Sequence, residues 1–304
     1  MQIDRRDFIG LGLAAFAGAA FGAPATKPAG NPKSRSWYNG VEIGCITYSY
    51  RSYGKAQTPQ DIIRYSLESG LGTLELKGET ILPFVGKGKD FKPAKIKEMR
   101  RMFDDNGISI HICKMGDPNE RNAEICHGLG ATCMTGEVPL DAKVKDPVAR
   151  ADKMKRAADR LQALCEKNDL LYAFHNHTQI DALTYDGDWF KGCDKLRINF
   201  DIGHYTAAMT DDRKRFIDPL AFVEKYHDRI FSIHLKDRTT KAHKSQNLPF
   251  GKGDTPLAKL FPFLQKKGWF YYCDIELEYK IPKGSNAARE VKLCNEFCRK
   301  AAGC

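Results

Sequence analysis

Four short stretches in the C-terminal half of the chain end in side chains that bind cations or move protons. "YAFHNH" ends with His175 and His177, "NFDIGH" with Asp201 and His204, "SIHLKD" with His234, Lys236 and Asp237, and "CDIELEY" with Glu276 and Glu278. Each polar group follows an apolar run of strand character, in which successive side chains alternate between two faces. That alternation puts His175 with His177, His234 with Lys236, and Glu276 with Glu278. Charges aimed into a closed interior are costly unless they are paired or ligate an ion. A shared divalent cation is the economical solution, and a mixed imidazole and carboxylate set favours Mn, Co, Zn or Mg over a soft-metal site.

Plainer roles compete residue by residue. His175 reads equally well as a core histidine, and Asn176, facing away from it, as a structural hydrogen-bonder. Lys236 and Asp237 can pair with each other at a loop start, although Lys236 fits the pocket better. Glu278 suits a surface partner as well as the site. Glu75 and Lys77 in "LELKG" and Lys114 in "HICKMG" also fall at strand ends, where paired surface charges explain them equally well.

The elements that must position these groups alternate in one rhythm from Val41 onward. The strands are "VEIGCITYSY", "GTLELKG", "ISIHICKMG", "GATCMTGEV", "LLYAFHNH", "LRINFDIGH", "IFSIHLKD" and "FYYCDIELEY". Amphipathic segments separate them. "TPQDIIRYSLESG" is a helix with Thr58 as N-cap, Pro59 at its first position and Gly70 at its stop. "DPVARADKMKRAADRLQALCEKND" and "DPLAFVEKYHDR" are helices too. Eight strand and helix units make a (β/α)8 TIM barrel, an α/β fold with catalytic groups at the C-terminal strand ends. A doubly wound sheet is disfavoured, since no Gly-rich phosphate turn follows the first strand. "PFGKGDTP" could cradle a phosphate, but capping logic favours a helix start with Asp254 or Thr255 as cap and Pro256 in the first turn.

The combination "FHNH", "NFDIGHY", "SIHLKDR", "PFGKGDTPL" and "IELEY" resembles the xylose isomerase-like TIM barrels, the sugar phosphate isomerase/epimerase group. The resemblance runs from about Val41 to the end. It implies one divalent ion held by Glu, Asp, His and Glu from successive strands. Asp201, His234 and Glu276 match three of these positions. Ala173 stands where the first glutamate belongs, with His177 as the substitute ligand and His175 as the fallback. The resemblance also implies proton abstraction next to the carbonyl of a keto sugar through an enediolate. Glu276 is then the base, Lys236 or His204 neutralises the developing oxyanion, and Arg238 binds substrate hydroxyls. His175, Glu75 and Lys114 are further substrate-binding candidates. Family 3-epimerases use two glutamates on opposite faces of the sugar, so the loss of one favours single-base outcomes. These are isomerisation, or a lyase reaction that cleaves 3-keto-glycosides by β-elimination.

Two other classes compete. A non-catalytic sugar binder would explain the missing glutamate but not the retained Asp201, His234 and Glu276. The same barrel hosts apurinic endonucleases, but these need several metals and many more ligands. Only eight histidines are present, and His127, His227 and His243 fall in helical or loop surroundings. The net charge of +10 leaves nucleic acid as a remote partner. The densest basic run, "KGKDFKPAKIKEMRR", reads as a helix with Ile96, Met99 and Phe103 inward and its lysines in solvent.

The 304 residues, 42% hydrophobic, suffice for one large core. Residues 41–304 form the single domain, after a signal peptide over 1–25 and a flexible Pro/Gly/Lys-rich linker over 26–40. Arg5 and Arg6 precede an apolar stretch, Phe8 to Phe21, too short and too rich in Gly and Ala for a membrane span. With "DFIG" after it, the pair resembles a twin-arginine signal, which exports folded proteins. The expected location is therefore periplasmic, without stable membrane insertion. The ten cysteines lack a CxxC motif, and several lie in apolar strands where a thiol packs as a small hydrophobe, so they are expected to be mostly free and buried. If residues 1–25 are an export signal, replacing Arg5 and Arg6 by lysine leaves the protein in the cytoplasm. Cell fractionation and the mass of the mature N-terminus check this, and a secreted chain that keeps those residues refutes it.

Overall fold

The computed structural model describes residues 30–54, 57–141 and 143–304. The signal expected over 1–25 lies outside them. Eight parallel strands close into a barrel: β1 (Val41–Ile46), β2 (Thr73–Lys77), β3 (Ser109–Lys114), β4 (Cys133–Glu137), β5 (Leu171–His175), β6 (Leu196–Asp201), β7 (Ile230–Leu235) and β8 (Tyr272–Ile275). Each strand pairs with the next in sequence, and β8 and β2 both pair with β1, which completes the ring. The first apolar run is a shorter strand than its sequence suggests, because "TYSYRSY" leaves the sheet as a 3₁₀ turn, Thr47–Tyr53.

Nine α-helices among the described residues surround the ring: α1 (Pro59–Glu68), α2 (Gly78–Val85), α3 (Pro93–Asp104), α4 (Glu120–Gly128), α5 (Pro147–Asn168), α6 (Ile202–Ala208), α7 (Pro219–Lys225), α8 (Leu257–Lys267) and α9 (Ala287–Ala301). Their starts follow capping chemistry. Thr58 and Asp61 form a reciprocal capping box on α1, and Asp146 and Asp218 cap α5 and α7, each supplying an acceptor to otherwise unpartnered N–H groups. The basic segment forms α3 with Ile96, Met99 and Phe103 buried. α8 differs from expectation. It begins at Leu257 with Pro256 as its cap residue and no side-chain cap, because Asp254 is engaged instead by the Thr240 N–H and by His243.

Residues 30–38 close the N-terminal end of the barrel. Trp37–Tyr38 pair antiparallel with β1, Trp37 stacks on Phe270 with ring centroids 5.5 Å apart, and the Asn31 N–H donates to the buried Glu42 carboxylate at 3.0 Å. All ten cysteines are free, nine of them buried and Cys304 exposed. No helix among the described residues is long and apolar enough to cross a membrane.

Polar groups fill the barrel in layers. Lowest, His111 bonds Asp274 Oδ2 and Thr73 Oγ1, both at 2.8 Å. Above it lie Glu75, Asn199, Ser232 and His234, all fully buried. Gly44 makes room for the lowest layer, since a Cβ there would stand 2.3 Å from Asp274 Oδ1 and 3.0 Å from Thr73 Cγ2. Gly44→Ala is expected to destabilise the fold by about 1–3 kcal/mol through overpacking, read as a lower denaturation midpoint. An unchanged midpoint would mean that the barrel floor can yield.

Candidate active site at the barrel mouth

The C-terminal ends of β5 to β8 bring the candidate residues together. His234, on β7, is fully buried between two carboxylates: Nδ1 lies 2.9 Å from Glu276 Oε2 and Nε2 lies 2.8 Å from Glu75 Oε2. Lys236, two residues on and on the same wall, places Nζ 3.1 Å from Asp201 Oδ2, 3.3 Å from Glu276 Oε2 and 2.9 Å from Glu278 Oε2. His204, on the first turn of α6, lies with Nε2 2.8 Å from Lys236 Nζ and accepts a hydrogen bond at Nδ1 from Arg238 Nη1 at 2.7 Å. The other Arg238 Nη donates to the Ser245 carbonyl. Asp201 ends β6 and accepts from the His204 N–H as the α6 cap, so the strand-to-helix switch fixes both residues.

Burial and charge oppose each other here, and charge decides the outcome. Burial resists the imidazolium of His234, but Glu75 and Glu276 outweigh it and push its pKa well above the ordinary value. Burial likewise resists the Glu276 carboxylate, but Lys236 and His234 hold it well below the usual range. Glu75 is lowered against its burial chiefly by His234, and Lys236 is raised against its burial by Asp201, Glu276 and Glu278. For His175 and His204 burial wins and lowers both.

His175, Asp201, His234 and Glu276 each offer a ligand atom, all within 4.8 Å of one another. Two imidazoles and two carboxylates converging this closely suit a borderline or hard divalent cation. Asp201 Oδ2 is buried with no aligned hydrogen-bond donor among the described residues; its closest charged partner is the Lys236 ammonium at 3.1 Å, a cation whose place a metal ion could share. The residues therefore fit a metal ion.

The placements differ in detail from the sequence expectations. His177 lies past the end of β5, half exposed, with Nδ1 3.2 Å from Glu137 Oε2. The chain has left strand geometry there, so the face shared with His175 is not continued, and His175 completes the four-residue group. His177 joins His175 and His204 in a separate cluster. Glu75 is not at the mouth. It is fully buried one layer below, bonded to His234 and Asn199, because it precedes the end of β2 by two residues. Lys114 stands at the rim with Nζ 3.1 Å from Glu137 Oε1. Glu278 does enter the cluster through Lys236. Asn176 bonds the Asp201 backbone at both N–H and C=O. Asp237 does not pair with Lys236. Its Oδ2 accepts the N–H groups of Gly251, Lys252 and Gly253 at 2.7, 3.0 and 3.0 Å, so the Gly-rich loop cradles the chain's own carboxylate. A cleft of about 410 Å³ lined by Ser49, Arg51, Glu278 and Tyr279 opens beside the cluster.

Sequence reasoning passed over Asn199 and Glu137. Asn199 precedes Asp201 by two residues and so shares its face, a signal that was present. Glu137 ends β4 and was readable only as a strand-end charge.

A profile of xylose isomerase-like TIM barrels matches residues 63–297. The chain belongs to the xylose isomerase-like TIM barrels. Solved structures share the fold at low identity. The IOLI protein, crystallised with a zinc atom, superposes with a TM-score of 0.68 at 10% identity, covering 86% of this chain and 98% of that one. An L-ribulose 3-epimerase gives 0.63 at 12%, covering 86% and 95%. A probable 3-DHS dehydratase, AsbF of Bacillus anthracis, gives 0.61 at 14%, covering 84% and 98%. No curated protein matches the sequence significantly.

Within this xylose isomerase-like site, Lys236 offsets three carboxylates. In metal-free protein, Lys236→Met is expected to cost about 3–5 kcal/mol, as when one partner of a buried ion pair is removed. Chemical denaturation measures it, and added divalent ion should recover part of the loss. A cost near zero would place the ammonium outside the cluster.

Proposed function

We propose that the protein is a divalent-metal-dependent enzyme that moves a proton next to the carbonyl of a keto sugar. The observation that carries the reading is the convergence of His175, Asp201, His234 and Glu276 at the mouth of a closed barrel, beside a buried ammonium. These four residues would hold the ion, which when bound supplies Lewis-acid polarisation of the carbonyl. Glu276 is the base. Lys236 and His234 keep it ionised, and it lies at the mouth, where a bound sugar can present its α-proton. The Lys236 ammonium stands across from it and offsets negative charge as the enediolate forms. His204, held by Arg238, lies next to that ammonium and orients a substrate hydroxyl or passes a proton to it. The superposed L-ribulose 3-epimerase supports chemistry of this class.

A second reading has its own observation. Ala173, fully buried on β5, stands where the family resemblance places a second carboxylate, so one base serves the site. Isomerisation or β-elimination from a 3-keto-glycoside needs only one base, with Lys236 or His204 neutralising the departing oxygen. The superposed 3-DHS dehydratase fits elimination. The export signal expected over 1–25 would put either reaction in the periplasm. A sugar binder without chemistry remains the competing class, and metal content tests it: an equimolar ion in wild type that is lost in Asp201→Ala favours the enzyme.

The deciding measurement is deuterium incorporation from heavy water into keto sugars and 3-keto-glycosides with Mn or Co present. The expected result is exchange next to the carbonyl, reduced about 10²–10⁴-fold in Glu276→Gln, with the product distinguishing isomerase from lyase. No exchange across the panel, in protein shown to hold metal, defeats the reading.

A further inference from the structure

Below the four converging side chains lies a layer that is fully buried. Asn199 Nδ2 donates to Glu75 Oε2 at 3.0 Å and to Ser232 Oγ at 2.9 Å. The Asn199 Oδ1 faces His175 Nδ1 at 3.0 Å. The same Glu75 Oε2 lies 2.8 Å from His234 Nε2. Glu75 Oε1 is buried without a hydrogen-bond partner among the described residues, so one oxygen serves both neighbours.

The donor and acceptor inventory leaves little freedom. An ionised carboxylate only accepts. Asn199 must therefore turn its amide NH₂ toward Glu75, which points Oδ1 at His175. An amide oxygen only accepts, so the His175 proton sits on Nδ1 and its Nε2 lone pair is free. Facing Glu75, His234 donates from Nε2, and its Nδ1 lies 2.9 Å from the ionised Glu276 Oε2, so without a cation both ring nitrogens carry protons, and only Nδ1, on the mouth side, can give its proton up to a ligand bond. The sheet register shifts opposite both residues, at Leu74/Glu75 and Ile198/Asn199, where the neighbouring strands carry one extra residue, His111 and Phe231.

The structure assigns Glu75 and Asn199 as positioning residues: through Asn199, Glu75 fixes the His175 proton on Nδ1 and leaves its Nε2 lone pair for the cation position, and Glu75 directly holds the His234 proton on Nε2, so that Nδ1 is the nitrogen His234 can offer. This rests on the metal-dependent reading above. Partners of this kind hold ligand rings in place, and their removal weakens metal binding about 10–100-fold.

The test uses full-length protein with ¹⁵N-labelled histidine and long-range ¹H–¹⁵N spectra, metal-free and zinc-loaded, with zinc affinity from competition against a chromophoric chelator. In metal-free wild type the His175 proton is expected on Nδ1. In zinc-loaded wild type His234 keeps its proton on Nε2. In Glu75→Leu, Asn199 loses its acceptor and its amide can reverse, so His175, which Glu75 does not touch, shifts toward the Nε2–H form, and zinc affinity falls about 10–100-fold. Glu75→Gln retains an oxygen at the same place and restores the wild-type His175 tautomer. A structural role alone would not move that tautomer. A His175 proton on Nε2 in metal-free wild type overturns the assignment, even if Glu75→Leu fails to fold. So does a folded Glu75→Leu with unchanged tautomer and zinc affinity. Wild type that binds no zinc but holds the His175 proton on Nδ1 removes the metal-dependent reading and leaves the positioning role standing.

Discussion

His234 between Glu75 and Glu276 is the contact on which the site depends. A closed parallel barrel has no solvent inside to stabilise charge, so each carboxylate that enters must meet a cation or a donor. With one ring between two glutamates, each group justifies the others: the carboxylates keep the imidazole in place, and the imidazole lets both remain ionised. Lys236 extends the arrangement outward by meeting Asp201, Glu276 and Glu278 with one ammonium.

The rest of the interior follows the same constraint. Beneath the site, His111 bridges Asp274 and Thr73 and stacks on Tyr272 with ring centroids 4.0 Å apart. Gly44 leaves the space that Asp274 occupies. Glu75 Oε1 and Asp274 Oδ1 have no hydrogen-bond partner among the described residues, but the bonds the other atoms make hold the polar cluster in place from below. Charge at the mouth is thereby preorganised. Catalysis by electrostatic stabilisation requires groups that need not reorganise when substrate charge develops.

Much of this was legible in the chain itself. Alternation of short apolar runs with capped amphipathic segments specified the eight units, because hydrophobic period and capping chemistry are local. Asp201, His234, Lys236 and Glu276 stood out because a charge closing an apolar strand needs an explanation. The α8 cap was misread because Asp254 found its partners in the loop after β7. Strand periodicity puts His177 on the face of His175, but β5 ends at His175 and the backbone turns away before His177, a change no local pattern marks.

The sequence by itself determined the barrel, the order of its strands and the strand ends where the polar cluster gathers, since those depend on neighbours a few residues apart. Only the tertiary structure decided which atoms meet. Glu75 reaches His234 across 159 positions of the chain, and whether it lines the mouth or supports the ring beneath depends on strand register and depth in the barrel. Those are set by closure of the whole sheet, and no local pattern encodes them.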